Sequence, residues 1–331
     1  MATDILRPRP IDEHPLKRRI YRVPTPSIKA MITLVEECLF MFIGGALIHG
    51  RPRIGKSCAI DYAMTDLKAR RPKLSTYKMR CMRPQAPSES TFFAELLRTV
   101  RHPAEPSAPK ASLRIRLVHK LRQVTDALGD NKVVIFVDEA QHLREIEYEW
   151  LRDLHDDLEN NDVRLFTFLL GQHQLLAQKA AFQAQDKEQI VARFMIEELA
   201  FKGVASEAEC AAVLRAYDTS SEYPAGSGWC YTRFFVPQAF SAGLRLADSA
   251  THLWRAFEDA HFTAQLDGSP EIPMKYFSAT IEAGLLTSAE SNQDSPTLTF
   301  PQAFWSTMVE RSRYVSARHA GRAIFGQIKN R

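Results

Sequence analysis

Eight consecutive residues carry the clearest chemistry in the chain: Gly50, Arg51, Pro52, Arg53, Ile54, Gly55, Lys56 and Ser57. They fit the spacing GxxxxGK[ST], and each fixed position has a physical role. Gly50 and Gly55 allow the backbone to wrap a phosphate so that amide N–H groups point at it. Lys56 would meet the β- and γ-phosphates, and the Ser57 hydroxyl would hold magnesium. The loop and the next residue, Cys58, therefore form the expected cofactor-binding segment, and the implied cofactors are ATP and Mg2+.

The complementary half is Asp138-Glu139, at the end of the apolar run 133–137. An acidic residue at the C-terminal end of a buried strand sits where α/β folds bind ligands. Asp138 would hold magnesium through water, and Glu139 would polarise the attacking water. Three further residues are candidates. Gln172 follows the next buried strand, where a polar side chain can sense the γ-phosphate. Arg193 stands at a helix–strand junction, from which an arginine could reach a neighbouring subunit's γ-phosphate. Arg245 could reach the nucleotide from a C-terminal lid.

These residues need a scaffold, and the hydrophobic pattern supplies an α/β one. A helix over 27–42 and a short strand over 46–49 lead into the Gly50 loop, and a helix leaves it, running to 69. A strand over 73–81, helices over 92–100 and 112–128, and the strand over 132–139 follow. The non-alternating apolar run of that last strand indicates cover on both faces. A helix over 145–159, a strand over 164–171, a helix to 193 and a strand over 194–199 complete the alternation of a parallel sheet flanked by helices. After Gly203 the pattern predicts helices over 205–217, 236–247, 249–265 and 271–285. The expected domains are a basic arm at 1–26, an α/β ATPase core at 27–203, a small helical lid at 204–287, and a linker with a basic tail at 288–331.

Composition narrows the class. Of the 331 residues, 45% are hydrophobic and 25% charged, ordinary for a globular protein. No apolar run is long and uninterrupted enough to span a membrane, and no signal peptide opens the chain, so a cytoplasmic location and no membrane partner are expected. Five scattered cysteines lack metal-ligand spacing and read as reduced thiols. No Gly-x-Ser-x-Gly elbow supports a serine hydrolase. The net charge of +4 is unevenly spread: residues 73–122 hold eleven Lys/Arg against three Glu. That excess suggests a polyanion nearby, although basic residues also simply solvate helix faces.

The combination "GRPRIGKS", "VVIFVDEAQHL", "FTFLLGQ" and "ARF" resembles the TnsC/TniB group of AAA+ transposition regulators, over about residues 20–265. Asp138-Glu139-Ala140-Gln141-His142-Leu143 is the most specific element. The resemblance implies an AAA+ P-loop NTPase fold and ATP hydrolysis. It also implies assembly of the chain with itself, as a ring or filament around double-stranded DNA, linking a TniQ-like target-selection protein to a transposase. It places Lys56, Ser57, Asp138, Glu139, Gln172 and Arg193 in the roles given above. Gln172 stands where that group often carries Thr, which implies slow turnover. DNA-facing candidates, by analogy with loops lining related rings, are Arg80, Arg83, Lys110, Arg114 and Arg116, all as phosphate contacts. The competing readings are a helicase loader resembling the DnaC/IstB group and a protein-remodelling P-loop ATPase without DNA contact.

Overall fold

The computed structural model describes residues 7–81, 87–103, 110–291 and 293–320, without the side chains of 110 and 111. It divides into two compact units. The first comprises Ile28–Pro52 and Lys56–Phe201, and the second Met1–Ser27, Arg53–Gly55 and Lys202–Arg331.

The first unit is the expected α/β sandwich. Its strands are β1 (Gly45–His49), β2 (Ser75–Arg80), β3 (Lys132–Asp138), β4 (Arg164–Gly171) and β5 (Glu197–Ala200). All pair in parallel, in the order β2-β3-β4-β1-β5. Every residue of β1, and every residue of β3 after Lys132, is buried, as a sheet covered on both faces demands. The helices are α1 (Pro26–Met41), α2 (Lys56–Arg70), α3 (Glu89–Thr99), α4 (Lys110–Leu128), α5 (Glu145–Glu159), α6 (Gln174–Ala184) and α7 (Glu188–Phe194). The single helix expected up to Arg193 is two, because Asp186 takes a left-handed conformation (φ 55°) between them. Since α7 runs through Phe194, β5 starts three residues later than its apolar pattern suggests.

The second unit is helical, with α8 (Glu207–Thr219), α9 (Tyr231–Phe235), α10 (Pro237–Ser241), α11 (Ala250–Thr263), α12 (Met274–Glu290) and α13 (Gln302–Arg311). Ser206 caps α8, its hydroxyl accepting the Glu209 N–H at 3.2 Å. The continuous helix expected over 236–247 is broken at both ends. Val236 (φ −131°, ψ 64°) leaves the helical region before Pro237, which disfavours a helical residue ahead of it, and Gly243 has φ +108°. The N-terminal segment packs into this unit. Leu16 is in the core, the Arg7 guanidinium donates to the carbonyls of Phe234 and Phe235, and Tyr21 bonds Tyr217 and Glu282. The C-terminal stretch does likewise, through buried Trp305, Met308, Val309 and Tyr314. Among the described residues, no helix is long and apolar enough to cross a membrane.

Candidate nucleotide site

Parallel pairing brings the chemistry to one end of the sheet. In register, His49 lies beside Gly171 and Asp138 beside Leu170. The phosphate loop leaves β1, the acidic pair leaves β3 and Gln172 leaves β4, all at the strands' C-terminal ends. That is the ligand end of an open α/β sheet.

The loop is shaped for close approach of a ligand. A side chain at Gly50 would put its Cβ 2.2 Å from the Phe201 carbonyl oxygen, and Gly55 has φ +107°. Lys56 is the first residue of α2 and is buried. Its ammonium donates to the carbonyls of Gly50 (2.8 Å) and Arg51 (2.9 Å). Burial lowers the Lys56 pKa, while the carboxylates of Glu139 and Asp138 oppose the shift. A cation partly stripped of water at a helix N-terminus, under a glycine-rich turn, fits a phosphate group. Ser57 is exposed beside it and Asp138 is buried, so one hydroxyl and one carboxylate are available to a cation. Such hard oxygen donors suit magnesium shared with phosphates and water. Among the described residues, no three His, Cys, Asp or Glu side chains gather as a separate metal site.

Glu139 is left-handed (φ 57°), an uncommon conformation for a non-glycine residue, which costs on the order of 1 kcal/mol. Its N–H donates to Asp138 Oδ1 at 3.1 Å. The Glu139 carboxylate accepts the Gln141 side-chain N–H at 2.6 Å, and Gln141 Oε1 accepts the Gln172 backbone N–H at 3.0 Å. The segment of Gln172 is therefore tied to the acidic pair through Gln141.

Two residues at this end of the sheet have roles that motif reading does not assign. Lys78, counted by charge with the polyanion-facing segment, instead turns to the site from β2. Its ammonium donates to the Ser57 carbonyl (2.9 Å) and Asp61 Oδ1 (2.8 Å), and lies 3.9 Å from Asp138 Oδ2. Gln141 is the other. Register offers a signal for the first: alternation along β2 places Lys78 and Arg80 on one face, and Arg80 pairs with Asp138.

The remaining candidates lie elsewhere. Arg193 lies in the last turn of α7, and a side chain at Gly44 would sit 3.3 Å from its carbonyl oxygen. It thus stands where β1 begins, a five-residue strand, roughly 17 Å, from the loop. Its guanidinium pairs with Asp156 and reaches the Arg152 carbonyl. Arg245, in the helical unit, donates to the carbonyls of Phe240 (3.0 Å) and Leu244 (2.7 Å) and lies over the Phe240 ring.

Of the DNA-facing candidates, Arg80 is exposed at the end of β2. Arg114 pairs with Asp157 (2.5 Å) and Asp153 (3.4 Å) on α5. Arg116 donates to the Pro103 carbonyl at 2.9 Å. Arg83 and the Lys110 side chain lie outside the described residues. A cleft of about 300 Å3 opens between the turn after Glu139 and α6, lined by Gln141, Leu143, Gln178 and Phe182 among others, but it includes no phosphate-loop residue.

Comparison with known proteins agrees with this geometry. Residues 44–178 match the family model described as an AAA domain. In fold the chain is similar to the Aeropyrum pernix ORC2 protein, solved as ADPNP–ADP complexes, with a TM-score of 0.56 and 14% identity over 90% of this chain and 71% of that one. It is also similar to the Aeropyrum pernix ORC1 protein, solved in complex with DNA, with a TM-score of 0.51 and 12% identity over 90% of this chain and 67% of that one. No curated protein matches the chain by sequence. The fold is that of an AAA+ P-loop NTPase, with a five-stranded parallel sheet flanked by helices.

Proposed function

We propose that this chain hydrolyses ATP to ADP and phosphate and uses the ATP-bound state to assemble with itself on double-stranded DNA, as a regulator of transposition. The observation that carries the nucleotide half is the meeting of Lys56, Ser57, Asp138 and Glu139 at one end of the sheet. Lys56 would exchange its two carbonyl partners for phosphate oxygens. Ser57 and Asp138 would hold Mg2+, which neutralises charge developing on the phosphates. Glu139 would orient and deprotonate the attacking water.

Arg193 stands too far from the loop of its own chain to touch a γ-phosphate bound there, which favours action on a neighbouring subunit's site. Its pairing with Asp156 would then be exchanged for phosphate on assembly. The DNA half rests on the basic segment, on the TnsC/TniB-like sequence at 138–143, and on the fold shared with a protein solved in complex with DNA. Phosphate binding falls best to Arg80 and Arg116, because Arg114 is already matched by two carboxylates. The transposase and a TniQ-like targeting protein would be the further partners.

Electron microscopy of the protein with duplex DNA and a non-hydrolysable ATP analogue tests the assembly directly. DNA-threaded rings or filaments that require the analogue support the proposal, and monomers under every condition refute it. Salt titration of duplex binding tests the surface. For every phosphate left without its arginine, the plot of log affinity against log salt should flatten by about 0.9, equally on unrelated sequences. Arg80→Ala with Arg116→Ala should therefore flatten it by about two.

A further inference from the structure

We infer that Gln141 is a positioning residue for Glu139, setting the water-activating carboxylate against the segment that follows β4. The inference rests on ATP hydrolysis at this site. Its basis is a side-chain amide with both ends engaged. The Gln141 N–H2 group donates to Glu139 Oε2 at 2.6 Å, and its oxygen accepts the Gln172 backbone N–H at 3.0 Å. The Gln172 partner is a backbone donor, so it fixes which end of the amide is oxygen and leaves the N–H2 facing the carboxylate.

The bridge is itself supported. Gln178 on α6 donates to the backbone carbonyls of Gln141 (3.1 Å) and Leu143 (2.9 Å), and Tyr148 donates to Gln178 Oε1 at 3.3 Å. Gly171 leaves room for it, because a side chain there would place Cβ 2.4 Å from Gln141 Oε1. One Glu139 oxygen is thereby engaged by the bridge. Glu139 would otherwise be free to rotate about its side-chain bonds, since its backbone is fixed only by the left-handed turn. Gln141 gives the carboxylate one orientation, referenced to the backbone of Gln172. Any shift of the Gln172 segment on meeting a γ-phosphate is then passed to the base.

Two substitutions separate the halves of the bridge. Gln141→Leu removes both hydrogen bonds. Gln141→Glu keeps the length and can still accept the Gln172 N–H, but cannot donate to Glu139. Two readouts are needed: amide hydrogen exchange at Gln172 in the nucleotide-free protein, and the split between kcat and the Kd of a non-hydrolysable ATP analogue. Gln141→Leu should speed exchange at Gln172 at least about tenfold and lower kcat about tenfold, with Kd within about twofold. Gln141→Glu should restore slow exchange but not kcat. Wild-type turnover for both variants, or restored kcat in Gln141→Glu, would overturn the inference. Absence of turnover in the wild-type protein would instead refute hydrolysis itself.

Discussion

The two units bury their cores in different ways. In the α/β unit the core comes from one nearly continuous stretch, Ile28 to Phe201, and it is organised by β1, β3 and β4, whose aliphatic residues meet helices on both faces. In the helical unit the core is assembled from two distant stretches, Leu16–Val23 and Val204–Tyr314, and is richer in aromatic side chains. His14 lies among Tyr223, Tyr231, Phe234 and Phe235, with ring centroids 4.3–4.9 Å away. Phe257 stacks on Phe277 and meets Tyr314 edge-on. A sheet delivers loops to a common end by register alone, and so can carry a multi-residue site. The helical unit gains order from the docking of residues 7–23 and 300–314.

The largest effect that would separate the units is on nucleotide. Lys56→Ala removes the buried cation of the phosphate loop and should weaken ATP binding by at least about 100-fold, on the order of 2.7 kcal/mol. Calorimetric titration checks this, and circular dichroism should show an unchanged fold.

The next effect is on stability and belongs to the helical unit. Trp305 is fully buried, and a side chain at Gly284 would come within 2.9 Å of its ring. Trp305→Ala should cost about 3–5 kcal/mol in urea unfolding. A cost within about 0.5 kcal/mol would mean that residues 301–314 are an appendage and not core.

A smaller, more local contrast lies between two neighbours on β2. Lys78 shares Asp138 with any cation bound there, whereas Arg80 is exposed. Lys78→Ala should lower the Mg2+ concentration needed for half-maximal ATP binding by roughly threefold, and Arg80→Ala should leave it unchanged. Titration of Mg2+ at fixed ATP decides, and equal behaviour of the two variants would remove Lys78 from the site.

The smallest effect is a proton. Burial lowers the His14 pKa from 6.5 to about 4, and its Nε2 has no hydrogen-bond partner among the described residues. Between those values the unfolded chain binds a proton that the folded chain does not, so stability is complete above pH 6.5 and falls as pH drops towards 4. His14→Phe should flatten that acid slope by about one proton. His155 in the α/β unit, held down to about 3 by burial and bonded to Thr167, should keep its own contribution. Urea midpoints measured at pH 7, 6 and 5 test the difference.

The same contrast explains what was legible in the sequence. α5 and β4 have the bounds their periodicity predicts, because amphipathic and fully buried patterns are local properties. The placement of Gly50–Ser57 and Asp138-Glu139 at one end of the sheet was legible because each follows a short, fully buried apolar strand. The breaks at Asp186 and Val236 were not, since they depend on single backbone conformations. Nor was the docking of residues 7–23 and 300–314, which look polar until buried side chains such as Leu16 and Trp305 enter the helical core and Arg7 bonds the Phe234 carbonyl 227 positions away. Gln141 was hidden for a related reason. Its neighbour Glu139 is two residues away, but its other partner, Gln172, is thirty-one residues distant and is reached only through the sheet.

In the proposed function Glu139 activates water at a magnesium-nucleotide site built by Lys56, Ser57 and Asp138. The most direct test is Glu139→Gln, which keeps size and polarity but removes the base. Measured side by side with the wild-type protein, its affinity for ATP should stay within about threefold while its steady-state hydrolysis falls by at least about 100-fold. Hydrolysis by Glu139→Gln at the wild-type rate would contradict the account.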